Sequence, residues 1–134
     1  MNTLIKLKKI IKNINLRDYE QTDSATVRYY IQISGRYGAK LFTSRLKCEG
    51  CFFRQEAAHK MGFGPKPLFM GTKGRYFYYV TEHAIQGGLN QEEISALKKK
   101  ISYMAWSTYD LFSDNVGKIK GKPVLIDFDL CTLG

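Results

Sequence analysis

Asp110-Leu111-Phe112-Ser113-Asp114-Asn115, followed after a short basic turn by Val124-Leu125-Ile126-Asp127-Phe128-Asp129, is the stretch that decides how this chain is read. An acidic residue five positions before an asparagine, then an apolar run ending in a second Asp, is the layout that phosphoryl-transfer sites use. One carboxylate orients a hydroxyl nucleophile, while an amide oxygen and a second carboxylate hold the metal ion on the nucleotide. Each half alone has a plainer reading, with Asp110, Asp114 and Asn115 as turn formers and Asp127 and Asp129 ending a strand. What lies upstream therefore has to decide between them.

The chain has 134 residues, enough for one domain with a genuine core and too few for two well-packed ones. A hydrophobic share of 44% with 25% charged residues is that of a soluble globular protein. The net charge of +9 suits an anionic partner such as a nucleotide, a nucleic acid, an acidic protein surface or lipid headgroups. Nine Tyr and eight Phe favour strands and packed interfaces. Charge with aromatics can also make a stacking groove for nucleic acid, but no nucleic-acid motif is present and that partner is not favoured. Cys48, Cys51 and Cys131 make no even disulfide framework and read as reduced thiols. Cys48-Glu49-Gly50-Cys51 is half of a zinc pattern with no second half. No apolar run is long enough to span a membrane. Lysines at 6, 8, 9 and 12 interrupt the stretch from Met1 to Leu16, so it does not read as a signal peptide.

Leu4, Leu7, Ile10, Ile11 and Ile14 recur at helical spacing with lysines opposite. The spacing predicts an amphipathic terminal helix within 1–16, docked on the domain in preference to a membrane surface. Thr26–Ile33 and Ala39–Leu46 read as a hairpin around Ser34–Gly38, and Cys51–Met61 as a helix stopped by Gly62-Phe63-Gly64-Pro65. Lys66–Met70 and Tyr76–Val80 read as a second strand pair. Asn90 caps a predicted helix from Gln91 to about Tyr109, with Ile94, Leu97, Ile101, Met104 and Ala105 as its buried stripe. Lys98-Lys99-Lys100 forms its solvated face, and a last hairpin runs Val116–Ile119 and Val124–Phe128. The order of elements predicts an α+β fold with an antiparallel sheet.

Five short motifs, in order over Thr26–Asp129, resemble the protein-kinase-like superfamily. Gly38-Ala39-Lys40-Leu41-Phe42 resembles the strand bearing the ATP lysine, and Arg54–Gly62 the helix whose Glu56 pairs with it; Glu56 is preferred to Glu49. Tyr78–Ala84 is similar to the strand and hinge that cradle adenine, implying main-chain contacts at Glu82 and Ala84. Asp110-Leu111-x-x-x-Asn115 matches part of the catalytic loop, and Asp127-Phe128 the first two residues of D-F-G. The resemblance implies ATP and Mg²⁺ as cofactors, Lys40 on the phosphates, Asn115 and Asp127 on the metal, and Asp110 directing a substrate hydroxyl. It implies a small-lobe-like part over 26–84 and a reduced large-lobe-like part over 90–134, one long helix, catalytic loop and β-hairpin.

Departures bear on what can be expected of it. No G-x-G-x-x-G loop precedes the lysine strand, leaving only Gly35 and Gly38 to approach phosphates. Thr108-Tyr109 stands where the family usually has His-Arg, and Asp129 replaces the Gly of D-F-G. The activation segment and A-P-E motif are not found before Gly134. The expectation is a minimal Ser/Thr-type protein kinase acting on a host or partner protein in the cytoplasm (a host's, if phage- or effector-encoded). The alternative is an inactive pseudokinase or inhibitory module that blocks a partner.

Overall fold

The computed structural model describes residues 2–22, 26–103, 106–107, 115–126, 128 and 132–133. The fold is α+β, with a four-stranded antiparallel sheet and three α-helices among the described residues, and the chain divides into two compact units. The first comprises Met1–Phe52 and Pro67–His83; the second comprises Phe53–Lys66 and Ala84–Gly134.

In the first unit, α1 (Thr3–Asn13) is capped by Asn2, whose side chain accepts from the Leu4 N–H. A 3₁₀ turn over Leu16–Asp18 follows. Strands β1 (Val27–Gln32), β2 (Tyr37–Phe42), β3 (Pro67–Lys73) and β4 (Tyr76–Glu82) form one sheet in the order β1-β2-β4-β3, every pair antiparallel. Strand alternation gives this sheet two faces. One carries Tyr29, Ile31, Ala39, Leu41, Tyr78 and Val80, and it is covered by Leu7 and Ile11 of α1. Burying two such side chains contributes about 1.5–3 kcal/mol each. Lys73 adds a C-terminal cap by donating to the Lys12 carbonyl at 3.0 Å. Leu4 and Ile10, expected in the buried stripe, are 40% and 45% exposed, because only the narrower Leu7–Ile11 line meets the sheet. The opposite face carries Tyr30, Lys40, Phe42, Tyr79 and Thr81.

Helix α2 (Arg45–Lys60) begins six residues earlier than the apolar pattern predicts. Ser44 is its N-cap, its hydroxyl accepting from the Lys47 N–H at 3.3 Å. Cys48, Cys51, Phe52, Gln55 and Ala58 form the buried face at helical spacing, and Cys and Gln concealed that stripe from a hydropathy reading. Glu49 therefore lies inside the helix, where it pairs with Arg45 at 2.8 Å.

In the second unit, α2 ends as its glycine signal predicts. Gly62 has φ +84°, its N–H donates to the His59 carbonyl, and the Phe63 N–H donates to the Ala58 carbonyl. That pair of bonds is a Schellman cap. Beyond it, β5 (Ile85–Gln86), β7 (Val116–Ile119) and β8 (Lys122–Leu125) form a three-stranded sheet in the order β5-β7-β8. The β7–β8 turn is Lys120-Gly121, with φ of +51° and +78°, the pairing of positive values that a tight hairpin needs. α3 (Gln91–Tyr103) opens on a reciprocal cap: the Glu93 N–H donates to Asn90 Oδ1 at 2.8 Å, and the Asn90 N–H to Glu93 Oε1 at 3.1 Å. Leu97 and Ile101 are buried while Lys98, Lys99 and Lys100 are exposed. The helix does not continue to Tyr109. Trp106–Ser107 forms β6, paired antiparallel with β9 (Thr132–Leu133), so long-range pairing overrides the local helical spacing. Met104 and Ala105 lie outside the described residues.

Candidate functional site

Lys40 sits mid-strand in β2, opposite Tyr30 on β1 and Tyr79 on β4. A strand lysine is ordinarily solvent-facing, yet Lys40 is only 7% exposed. Its Nζ lies 5.7 Å from the centre of the Tyr79 ring, a cation–π contact. Tyr79 stacks on Phe42 at 5.8 Å and meets Phe52 edge-on at 5.5 Å. One end of the Lys40 face is thus closed by buried aromatic rings. A buried cation on a rigid sheet is a group that can hold phosphate oxygens.

The end of β4 and the residue after it are also fixed. Glu82 pairs with Tyr37, and its carbonyl accepts from the Thr81 hydroxyl at 3.1 Å. The His83 N–H donates to the Arg36 carbonyl at 2.7 Å. Ala84 is buried in the second unit.

Gly38 accommodates a neighbouring ring. A Cβ at Gly38 would lie 2.6 Å from Cζ of Tyr30, so the missing side chain makes room for that ring, whereas Gly35 has open space around it. The Tyr30 hydroxyl bonds His83 Nδ1 at 2.5 Å. Burial raises the Tyr30 pKa and lowers that of His83. Sequence reasoning missed this pair. Only the diagonal neighbour relation of Tyr30 and Gly38 across β1 and β2 would have indicated it.

In the second unit, the β7–β8 hairpin returns the chain to Asn115. Val116 faces Leu125, and the Ile126 N–H donates to the Asn115 carbonyl at 3.0 Å. Asn115 is 4% exposed. The neighbouring positions are anchored too. The Leu125 N–H donates to the Phe63 carbonyl at 2.8 Å, Arg54 Nε donates to the Phe128 carbonyl at 2.8 Å, and the Phe128 ring is buried. Gln55, fully buried, donates to the Pro65 carbonyl at 2.9 Å and fixes the loop that receives Leu125. Glu56 is half-buried on the same stretch of α2.

Asp110 and Asp127 lie outside the described residues, as do Asp114, Asp129 and Cys131. Among the described residues, no group of three His, Cys, Asp or Glu side chains gathers to hold a metal. Cys48 and Cys51 are both buried and make no disulfide with a described residue. The amide of Asn115 is a hard oxygen donor of the kind Mg²⁺ takes. A groove of about 290 Å³ lined by Glu92, Glu93, Ala96, Leu97, Lys100 and Pro123 contains none of the predicted site residues. No helix among the described residues is long and apolar enough to cross a membrane.

No protein-family model matches the chain, and no curated protein matches it. Among solved structures, the chain is similar to the bifunctional kinase-methyltransferase WbdD, with 17% identity and a TM-score of 0.42, covering 74% of this chain and 29% of that one. A crystal structure of WbdD at 2.2 Å gives 16% identity and a TM-score of 0.48, covering 81% and 33%. The chain therefore spans about a third of the WbdD chains it matches. A likeness this distant assigns no family.

Proposed function

We propose that this chain is a Mg-ATP-dependent phosphotransferase of the Ser/Thr protein kinase type, acting on a partner protein. The observation that carries the proposal is the return of β8 to Asn115, with Ile126 bonded to the Asn115 carbonyl and Leu125 and Phe128 anchored on either side. Asn115, the last residue of the first motif, is thereby bonded to Ile126, the residue that precedes the second. Lys40, a cation held in a sheet among aromatic rings, supports the same proposal independently.

In this account Lys40 binds the ATP phosphates, with Glu56 as the carboxylate assigned to it. Main-chain groups at Glu82 and Ala84 hold the adenine. Asn115 and Asp127 hold Mg²⁺, which supplies charge neutralisation on the phosphates when bound. Asp110 orients the acceptor hydroxyl and takes its proton.

The test is incubation with γ-labelled Mg-ATP and candidate partner proteins. Labelled product that disappears in Asp110→Ala and Asp127→Ala is expected. No product, together with an unchanged biological effect in both variants, would contradict the proposal and leave a partner-blocking module.

A further inference from the structure

The two ends of the Lys40 face are closed in different ways. At the Phe42 end the cover is Tyr79 and Phe52, both buried core residues. At the Gly38 end the ring that lies against the strand is that of Tyr30, which is only half-buried.

Tyr30 stands directly across from Lys40 in the β1–β2 register and leans diagonally over Gly38, two residues before Lys40 on the same face. Because Gly38 lacks a side chain, the ring lies against the strand itself. Its position is secured by one side-chain hydrogen bond, to His83 Nδ1, and by the tilted His83 ring 5.7 Å away. His83 is fixed in turn through its main-chain bond to Arg36. Burial favours the neutral forms of both groups, so one hydrogen is shared between the phenol oxygen and Nδ1 in an uncharged hydrogen bond. The result is a flat slot on glycine backbone, beside a buried cation, filled by a flat ring that one rotamer change would remove.

We propose that Tyr30 is a removable plug: its ring occupies, on Gly38, the slot that takes the flat base of a purine nucleotide when Lys40 holds its phosphates. The proposal rests on the nucleotide-binding function proposed above. Ring replaces ring, so the bound state recovers the stacking surface and loses only the Tyr30–His83 hydrogen bond. A protein open only part of the time shows an apparent affinity reduced by the open fraction. Removing the plug should therefore tighten binding.

The experiment is a titration of the 134-residue chain with a fluorescent Mg-ATP analogue, using wild type and the Tyr30→Ala, Tyr30→Phe, His83→Ala and Lys40→Ala variants. Tyr30→Ala is expected to bind about tenfold tighter than wild type, as for a site open about one tenth of the time. Tyr30→Phe and His83→Ala keep the ring but cut its anchor, and a smaller gain is expected. They also serve if Tyr30→Ala fails to fold. Lys40→Ala is expected to lose binding. Binding that is lost in Lys40→Ala but equal or weaker across the Tyr30 and His83 variants would overturn the plug alone. No binding by wild type or by any Tyr30 or His83 variant would overturn the nucleotide function and the plug with it.

Discussion

The main-chain N–H of Ile126 donates to the carbonyl of Asn115 at 3.0 Å, closing the β7–β8 hairpin one step beyond its last register pair, Val116 with Leu125. Because this bond uses main-chain atoms, it survives replacement of the Asn115 side chain. Asn115→Ala should therefore remove the amide while leaving the hairpin return in place. It is expected to lower phosphoryl transfer from Mg-ATP by about 10²–10³-fold, the usual effect of deleting one preorganised polar group. Steady-state transfer assays with a circular-dichroism check of folding measure it.

Gln55 is fully buried and donates to the Pro65 carbonyl at 2.9 Å. Gln55→Ala leaves that carbonyl without this donor and opens a void. The expected loss is about 1–3 kcal/mol in urea unfolding, the cost of a buried polar group deprived of its partner. The loop it anchors presents the Phe63 carbonyl to Leu125, so the Mg-ATP response should weaken as well.

Glu93 ties the start of α3 to β7, accepting from the Asn90 N–H and pairing with Lys118 at 3.3 Å. The Asn90 main-chain bond, aided by Lys118, holds its carboxyl below the usual carboxylate range. A depressed folded-state pKa gives stability that is present above the unfolded value and lost as pH falls through the folded one. Glu93→Gln is thus expected to destabilise at pH 7, with the difference from wild type vanishing as pH falls below 4.5. Thermal unfolding at stepped pH values decides it; a difference that persists at low pH would mean that lost packing is responsible.

Burial, then the charges of Cys51 and Glu49, pushes the Cys48 thiol up to about 12. At pH 8 its thiolate fraction is then about one in ten thousand, and a thiol reagent needs the thiolate. In a Cys131→Ser background, Cys48 and Cys51 are expected to stay unreactive toward Ellman's reagent at pH 8 and to react fully in guanidinium. The same raised value gives stability that is present below the unfolded pKa of about 9 and lost as pH rises toward 12. Fast labelling of the folded protein would contradict the buried placement.

Much of the fold was legible in the sequence where one physical signal dominated. The Gly62-Phe63-Gly64-Pro65 stop of α2 and the Asn90 cap of α3 each depend on local backbone chemistry, and each stands as expected. The start of α2 was hidden because its buried stripe uses Cys48, Cys51 and Gln55. The end of α3 was misjudged because the pairing of Trp106–Ser107 with Thr132–Leu133 is long-range and leaves no local trace. Within the candidate site, Lys40 was legible as a residue but its burial was not, since burial depends on the rings of Tyr79, Phe42 and Phe52. Gly38 was legible as a glycine near the lysine, but the Tyr30 ring that lies against it from across the strand was not.

The central claim is that Lys40 and the Asn115/Asp127 pair serve one Mg-ATP-binding protein. Thermal unfolding with and without Mg-ATP, on wild type, Lys40→Ala and Asp127→Ala, tests it most directly. At about 100 times the dissociation constant, the nucleotide should stabilise wild type by about 2.7 kcal/mol and leave both variants unmoved. No stabilisation of wild type, or equal stabilisation of all three proteins, would contradict the account.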